Sequence, residues 1–374
     1  MPTTKTYAPA LTGLRALAAF LVFIFHYRTE LAPATTRPGQ VVLAFISEFH
    51  IGVSIFFTLS GYLLCRRYFD QSPATRQEFS TFYLRRFARI YPLFFLLTVA
   101  YFLLDPTQTG MKEATWQRHF VANITLLKGF SEGLYLTGIS PSWSLAVEES
   151  FYLLIPLLFV LAQRYTIAIW VLCVVYLAGL GLVLSYFVAE FGVLETPRFV
   201  LVGTFLGRSA EFLIGAAFAR LLPARVPHAT RLGLATLGAV LLVLVVVKLF
   251  LQLTVSIESL WGVAVNNWLL PWGTGLLLHG LATQPGGLLQ HLLSTQPAQV
   301  LGKSSYAFYL LHMGMLPNLV LPFFKSHVPL FWAILAYCVL AWVLSIGLYY
   351  LVESPLHTLI LRLGSARKSS TQPA

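Results

Sequence analysis

Long apolar stretches recur along nearly the whole chain, and more polar segments of different lengths separate them. A helix needs roughly 20 apolar residues to cross a hydrocarbon core of about 30 Å. The pattern therefore predicts membrane-spanning helices, with their ends placed to within several residues. Ten spans are predicted, at 9–27, 42–64, 83–104, 145–163, 166–188, 197–221, 229–252, 259–281, 298–322 and 330–352.

The composition agrees with this pattern. The 374 residues are 57% hydrophobic and 10% charged, with a mean hydropathy of +0.75, whereas an ordinary soluble domain carries roughly 25% charged residues. The predicted fold class is all-α, a polytopic membrane helical bundle in a lipid bilayer. A single transmembrane domain is expected over 1–364, followed by a short basic tail over 365–374 that we expect to be cytoplasmic and disordered.

The distribution of charge predicts the orientation. The net charge is +11, but the basic residues lie between apolar spans rather than on one exposed face, so no nucleic-acid partner is expected. Ten spans return both termini to one side. With that side in the cytoplasm, 15 of the 25 Lys and Arg residues lie inside and eight outside, in agreement with the positive-inside rule. Both termini are therefore predicted to be cytoplasmic.

The first span carries two ionisable residues, Arg15 and His26. The 11-residue step turns a helix through about 1100°, so both side chains share one face, roughly 16 Å apart. Taken singly, Arg15 is explained by contact with headgroups and His26 by packing or anchoring at the interface. The aligned pair favours a functional role because charges inside spans are costly. Imidazole suits proton transfer near neutral pH or transient acylation.

A dense basic cluster lies between the second and third spans. It consists of Arg66, Arg67, Arg85, Arg86 and Arg89. Residues 86 and 89 share a helix face and can grip one polyanion. Ordinary positive-inside charge explains many cytoplasmic arginines, but this cluster is denser than topology requires. We therefore expect residues 85, 86 and 89 to bind phosphate groups of a donor.

Three carboxylates are candidates for internal roles. Glu148 and Glu149 begin the fourth span, and two adjacent carboxylates on a membrane helix cannot both face lipid. One is expected to point inward and to orient His26 or help deprotonate an acceptor hydroxyl. The alternative is that both lie in headgroup water. Glu353, at the end of the last span, is expected to end that helix or to contact the basic cluster.

Polar residues in later spans are weaker candidates. Arg208 and Glu211 are spaced i,i+3 and are most simply a buried structural ion pair. Tyr306, Tyr309 and His312 recur at three-residue intervals, and both a role in acceptor binding or site support and a role as interfacial anchors remain open. The three cysteines and nine histidines show no spacing typical of metal ligands, so no metal is predicted.

Five motifs occur in order along nearly the whole chain. They are Leu11 to Ala19 followed by His26, Gly52 to Leu63, Arg86-x-x-Arg89 with Ile90-Tyr91-Pro92, Trp143-Ser144-Leu145 through Glu148 and Tyr152, and Ser305 to His312. Each motif is weak alone, but the combination is specific. The chain resembles the acyltransferase-3 family of membrane acyltransferases, which includes O-acetyltransferases of bacterial O-antigens, exopolysaccharides and some antibiotics.

The resemblance implies roles for the residues that match the motifs. His26 is the catalytic residue, Arg15 supports the active site or the donor, and Arg86 and Arg89 contact the phosphates of CoA. Glu148 falls at the acidic position of the family. Some relatives append an extracytoplasmic esterase-like domain, for which we expect no room in this chain.

The function expected from this resemblance is transfer of an acyl group from cytoplasmic acyl-CoA to a hydroxyl of an extracytoplasmic or lipid-linked carbohydrate. Acetyl-CoA is the expected co-substrate, no cofactor is expected to be bound permanently, and a bacterial inner membrane is the expected location. His26 as general base and a transient acyl-histidine both remain open. The rival functions are a transporter or flippase of sugars or lipids, and a non-catalytic scaffold or sensor.

Overall fold

The structure is a computed structural model that describes residues 7–32, 35–69, 75–105, 110–164, 168–222, 226–284 and 286–369. Every regular element in these ranges is helical. The α-helices are α1 Pro9–His26, α2 Arg28–Leu31, α3 Arg37–Ile46, α4 Ile51–Tyr68, α5 Arg76–Leu104, α6 Glu113–Ile124, α7 Trp143–Arg164, α8 Ala168–Val188, α9 Pro197–Gly203, α10 Phe205–Leu221, α11 Ala229–Phe250, α12 Leu260–Ala264, α13 Leu270–Thr283, α14 Leu288–Ser294, α15 Gln296–Leu311, α16 Met315–His327, α17 Leu330–Leu348 and α18 Ser354–Ser369.

The predicted all-helical fold with several membrane-spanning helices is confirmed. Within the described ranges, seven helical segments are long and apolar enough to cross a membrane, or eight if one bent pair counts as a single span. The predicted span at 259–281 is divided, because a π-helical turn over Val265–Leu269 separates α12 from α13. A total of ten spans therefore stays a prediction.

Glycines let the central helices approach to backbone contact. A Cβ atom on Gly61 of α4 would lie 1.9 Å from the carbonyl oxygen of Phe212 on α10. Likewise, a Cβ atom on Gly302 of α15 would lie 2.0 Å from the carbonyl oxygen of Thr12 on α1. Small residues at such crossings are the usual means of packing helices in a bilayer. These two contacts position α1, which carries Arg15 and His26, and α4, whose last turn carries Arg66 and Arg67.

A sharp break interrupts the predicted span at 298–322. Helices α15 and α16 meet at 88°, and Gly314 at the break has φ of +93°, a value that glycine adopts without strain. The carbonyl oxygens that end α15 are capped by two tyrosines, since Tyr337 donates to Leu311 at 3.0 Å and Tyr27 donates to His312 at 2.9 Å. The break therefore has a defined geometry, with its terminal carbonyls satisfied.

The last helix extends beyond the predicted domain boundary. Helix α18 continues to Ser369, so it runs five residues into the segment 365–374 that the sequence assigns to a disordered tail. Residues 370–374 lie outside the described part of the chain. The division into a domain over 1–364 and a tail over 365–374 stays a prediction.

Candidate functional site

A large cavity lies among α1, α4, α5, α7, α15 and α18. Its volume is about 1190 Å³, slightly above the usual size of a small-molecule site, roughly 300–1000 Å³. Along α4 its wall extends from Val53 to Arg67, a distance of about 21 Å at 1.5 Å per residue. Apolar side chains line its middle part, including Leu59, Leu63 and Leu64.

Six arginines line this cavity, and five of them gather at one end. We call Arg66, Arg67, Arg85, Arg86 and Arg89 the arginine cluster; the sixth, on α1, is Arg15. The structure thus brings together the basic residues that the sequence places at the ends of two consecutive helices. The end of α4 and the start of α5 lie close together at this end of the cavity, where the ring centres of Tyr68 and Phe82 are 5.2 Å apart.

One arginine of the cluster has a carboxylate partner. Arg89 Nη1 lies 2.6 Å from Oε1 of Glu353, which is 2% exposed. The predicted contact between Glu353 and the basic cluster is therefore confirmed. Glu353 belongs to a π-helical turn over Tyr349–Glu353 that connects α17 to α18, and π-helical turns are frequent at functional sites.

Two other arginines keep unused hydrogen-bonding capacity. The Nε atoms of Arg15 and Arg86 are buried and have no hydrogen-bond partner among the described residues. The guanidinium of Arg86 lies 5.9 Å from the ring centre of Tyr68 and 5.6 Å from that of Tyr152, distances at which cations are attracted to aromatic faces. Aromatic rings thus hold the side chain in place while part of its donor set stays available.

Glu148 lines the cavity wall near its middle. Its carboxylate accepts hydrogen bonds from the Ser60 hydroxyl at 2.9 Å and from the Tyr152 hydroxyl, and those two hydroxyls lie 3.1 Å apart. Tyr152 is one helical turn beyond Glu148 on α7, which brings the two side chains onto one face. The predicted contact between Glu148 and His26 is not formed, because the described partners of this carboxylate are Ser60 and Tyr152.

The far wall of the cavity contains Ser144 and Tyr309. Their hydroxyl oxygens are 2.8 Å apart. Behind this wall, Nδ1 of His312 lies 2.8 Å from the carbonyl oxygen of Tyr309, and the His312 ring centre lies 5.2 Å from that of His26. His26 therefore belongs to a histidine pair next to the cavity rather than to the residues that form its wall.

Arg208 and Glu211 form the predicted buried ion pair. Arg208 donates from Nε to Oε2 at 2.7 Å and from Nη2 to Oε1 at 2.8 Å. A further bond runs from Nη2 to the Ser54 hydroxyl at 3.1 Å, and the guanidinium lies over the rings of Phe57 and Trp143. This pair is a closed structural unit that joins α10 to α4.

Sequence reasoning missed several residues of the cavity wall. Ser60 lies inside a motif but is not a predicted site residue, and His357 lies beyond the last predicted span. Conversely, Tyr306 lines the cavity, but its hydroxyl donates to the carbonyl of Ile90 at 2.8 Å and so ties α15 to α5. Tyr152 could have been found from the sequence, because it lies one helical turn after Glu148. Ser60 has no charged residue one turn away, so the sequence gives no signal for it.

No three His, Cys, Asp or Glu side chains lie together as metal ligands in the described ranges. Cys65 and Cys338 are buried free thiols, and the side chain of Cys173 lies outside the described part. The groups gathered at the cavity are guanidinium, carboxylate, hydroxyl and imidazole. Such a set can bind a polyanion at one end and move protons at the other.

Comparison with known proteins identifies relatives that are named as acyltransferases. Acyltransferase MdmB of Streptomyces mycarofaciens is 35% identical over 171 residues, 44% of this chain and 42% of that protein. O-acetyltransferase OatA of Staphylococcus aureus is 26% identical over 368 residues, 94% of this chain and 57% of that protein. A candidate peptidoglycan O-acetyltransferase, YrhL of Bacillus subtilis, is 28% identical over 376 residues, 94% of this chain and 55% of that protein.

The chain spans about half the length of the curated relatives it matches. No solved structure matches it. The family model described as an acyltransferase domain matches residues 9–350, a range that contains the cavity wall from Leu11 to Tyr309 and the histidine pair. Because this match covers nearly the whole chain, the protein belongs to the acyltransferase-3 family.

Proposed function

We propose that this protein is a membrane O-acyltransferase that moves an acetyl group from acyl-CoA to a hydroxyl of a carbohydrate. The observation that carries the proposal is one cavity of about 1190 Å³ with the arginine cluster at one end. At the other end Tyr309 lines the wall. Behind it, His312 contacts the Tyr309 carbonyl and lies next to His26. The names of the relatives, O-acetyltransferase among them, support the acetyl group and the hydroxyl acceptor.

The arginine cluster supports CoA as the donor. CoA carries several phosphate groups at one end and its thioester at the end of a long pantetheine arm. Guanidinium groups bind phosphate through paired, charge-assisted hydrogen bonds, and the buried Nε of Arg86 has an unused donor. The apolar middle part of the cavity, lined by Leu59 and Leu63, matches the low charge of the arm. A wall of about 21 Å gives room for its length.

The proposed orientation in the membrane follows from the excess of Lys and Arg on the predicted cytoplasmic side. With both termini and the arginine cluster in the cytoplasm, acyl-CoA enters from the compartment that holds it. The His26 end of α1 then faces the outer leaflet, where a carbohydrate acceptor approaches. We retain ten spans and a bacterial inner membrane as parts of this proposal. In this arrangement the acyl group crosses most of the bilayer while it is attached to the donor.

The chemistry assigned to His26 is general-base catalysis. Its imidazole takes the proton of the acceptor hydroxyl as that oxygen attacks the thioester carbonyl, the carbon–sulfur bond breaks, and the proton passes to the departing CoA sulfur. Because His26 lies behind Tyr309, the Tyr309–Ser144 contact must open when the thioester arrives. Glu148, held by two hydroxyls in the wall, accepts a hydrogen bond from an amide N–H of the pantetheine arm.

The test uses purified protein in liposomes with acetyl-CoA labelled in the acetyl group. We expect release of CoA and label transfer to a cell-envelope carbohydrate fraction by the wild type, and loss of both in His26→Ala. His291→Ala is the matched control because His291 is exposed and lies outside the cavity wall. Label that stays on His26 and is removed by alkali would indicate the acyl-histidine route. Carbohydrate flux without CoA release would instead identify a transporter and overturn the proposal.

A further inference from the structure

The histidine at the helix break, His312, has one ring nitrogen fully engaged and the other free. Its side chain is fully buried at 0% exposure. Nδ1 lies 2.8 Å from the carbonyl oxygen of Tyr309, and because a carbonyl oxygen only accepts, Nδ1 must carry the proton of the neutral ring. Nε2 is then an acceptor, and it has no hydrogen-bond partner among the described residues.

An unpaired buried acceptor is costly, and a donor that reaches it during the reaction removes that cost. The His312 ring is held firmly, since it stacks on Phe308 with ring centres 6.0 Å apart, and Phe308 stacks on Trp342 at 3.9 Å. The backbone at the break is fixed by the tyrosine caps on the last carbonyls of α15. The free nitrogen therefore has a fixed direction.

The neighbouring group that can use this acceptor is the imidazole of His26. The two ring centres are 5.2 Å apart with the planes tilted by 45°. Nδ1 of His312 points back to its own helix, so Nε2 is on the side of the ring that faces away from α15. A histidine that acts as a base needs a group that holds its second nitrogen and fixes which nitrogen is free to react.

We propose that His312 is the positioning residue of His26, with its Nε2 atom accepting a hydrogen bond from the N–H of the His26 ring during acyl transfer. This inference rests on the proposed function. In the reaction, His26 takes the hydroxyl proton on one nitrogen while its other N–H stays bonded to His312, and the proton later leaves on the CoA sulfur. His312 gains no proton and forms no covalent bond, so it acts only through His26.

Two substitutions separate this role from a purely structural one. In His312→Asn the amide N–H reproduces the bond from Nδ1 to the Tyr309 carbonyl but removes the acceptor at the Nε2 position. In His312→Gln the amide oxygen reaches the position of Nε2 and keeps an acceptor there. His327→Asn is the matched control, because Nδ1 of His327 also contacts a backbone carbonyl, that of Phe323 at 2.7 Å, but at an exposed helix end.

The experiment measures kcat and the KM for acetyl-CoA in liposomes, together with the melting temperature of each variant. We expect His312→Asn to lower kcat about 10- to 100-fold with little change in KM, because the lost contact orients the base rather than the donor. His312→Gln is expected to stay within a few-fold of the wild type, and His327→Asn to match it. Equal activity of the Asn and Gln variants, or higher activity of Asn than of Gln, would overturn the inference.

The outcomes also separate this inference from the function on which it rests. If the wild type releases CoA in a manner that requires His26, the proposed function stands, and only the ranking of the two His312 variants decides the role of His312. If the wild type consumes no acyl-CoA, the proposed function itself is overturned, whichever variant melts at the higher temperature.

Discussion

Arginine occurs in two contrasting environments in this bundle. At Arg208 all three guanidinium nitrogens donate hydrogen bonds, to Glu211, to Ser54 and to the carbonyl of Val202. At Arg86 the guanidinium lies beside aromatic rings, its Nε has no partner in the described part of the chain, and it lines a large cavity. The same side chain is therefore saturated in one place and available in the other.

The difference shows how a structural charge is distinguished from a ligand-binding charge. A buried charge is tolerated when partners satisfy it, and Arg208 meets this condition within the protein. The Nε donor of Arg86 has no hydrogen-bond partner among the described residues, so it can bind an anion that enters the cavity. We therefore expect Arg208 to control stability and Arg86 to control binding.

The largest effect on stability is expected at the ion pair of Arg208 and Glu211. Arg208→Met leaves the buried Glu211 carboxylate without its cation, and the expected loss is about 3–5 kcal/mol of unfolding free energy. The measurement is thermal unfolding in detergent. In the double variant, Arg208→Met with Glu211→Met, no charge is left unpaired, so most of the stability should return. A single variant as stable as the wild type would contradict a structural role for this pair.

Substitution of Arg86 should weaken ligand binding rather than lower stability. Arg86→Gln is expected to weaken acetyl-CoA binding about 10- to 100-fold, the range for losing a hydrogen bond to a charged group, with an unchanged melting temperature. Equilibrium binding with labelled acetyl-CoA provides the measurement. Arg231→Gln is the control, because Arg231 is exposed and lies outside the cavity wall. Equal losses in both variants would indicate a nonspecific charge effect.

Lys128 is a buried cation whose charge is held by backbone carbonyls. Its Nζ donates to the carbonyls of Thr137 at 2.7 Å and Ile139 at 3.0 Å, and burial lowers the pKa of Lys128 from 10.5 to about 7. Between these values the unfolded chain binds more protons than the folded one. Stability should therefore rise with pH through that window, by up to about 1.4 kcal/mol per pH unit.

The melting temperature measured from pH 7 to pH 9 tests this expectation. Lys128→Met should remove the rise, since it removes the titrating group. Lys325→Met, at an exposed position on α16, should leave the rise in place. A wild type whose melting temperature falls over this interval would contradict the assigned direction.

The smallest effect concerns Arg89, which is intermediate between the two environments. It contacts the buried carboxylate of Glu353 at 2.6 Å and also lines the cavity. Glu353→Gln frees this guanidinium, so acetyl-CoA binding at low salt should tighten a few-fold, equivalent to roughly 1 kcal/mol. The gain should fall at high salt because ions screen the attraction. Weaker binding in this variant would show that Glu353 orients Arg89 for the ligand.

The contrast between the Arg208–Glu211 pair and the arginine cluster could partly be predicted from the sequence. Arg208 and Glu211 are one helical turn apart, so their pairing follows from local geometry. The cluster of Arg85, Arg86 and Arg89 is also local, and the predicted span at 83–104 places these residues at one of its ends. Helix positions agree with the structure wherever a span is continuous and apolar, because periodicity and length reflect the same physical requirement.

The remaining features depend on contacts between distant segments. The break at His312 rests on Gly314 and on hydroxyls from Tyr27 and Tyr337, which lie far apart in the sequence. The expected contact of Glu148 with His26 was inferred from depth in the membrane alone. Depth does not give the direction of a side chain around the helix axis, and Glu148 instead bonds to hydroxyls of the cavity wall.

The most direct test of the central claim is to map where the acyl donor binds. A photoreactive acyl-CoA analogue is crosslinked to the protein in liposomes, and the modified peptides are identified by mass spectrometry with and without excess acetyl-CoA. We expect crosslinks to wall residues such as Ser60, Tyr152 and Tyr309 that excess acetyl-CoA suppresses, and the loss of these crosslinks in Arg86→Gln. Crosslinks outside the cavity, or crosslinks that acetyl-CoA does not suppress, would contradict it.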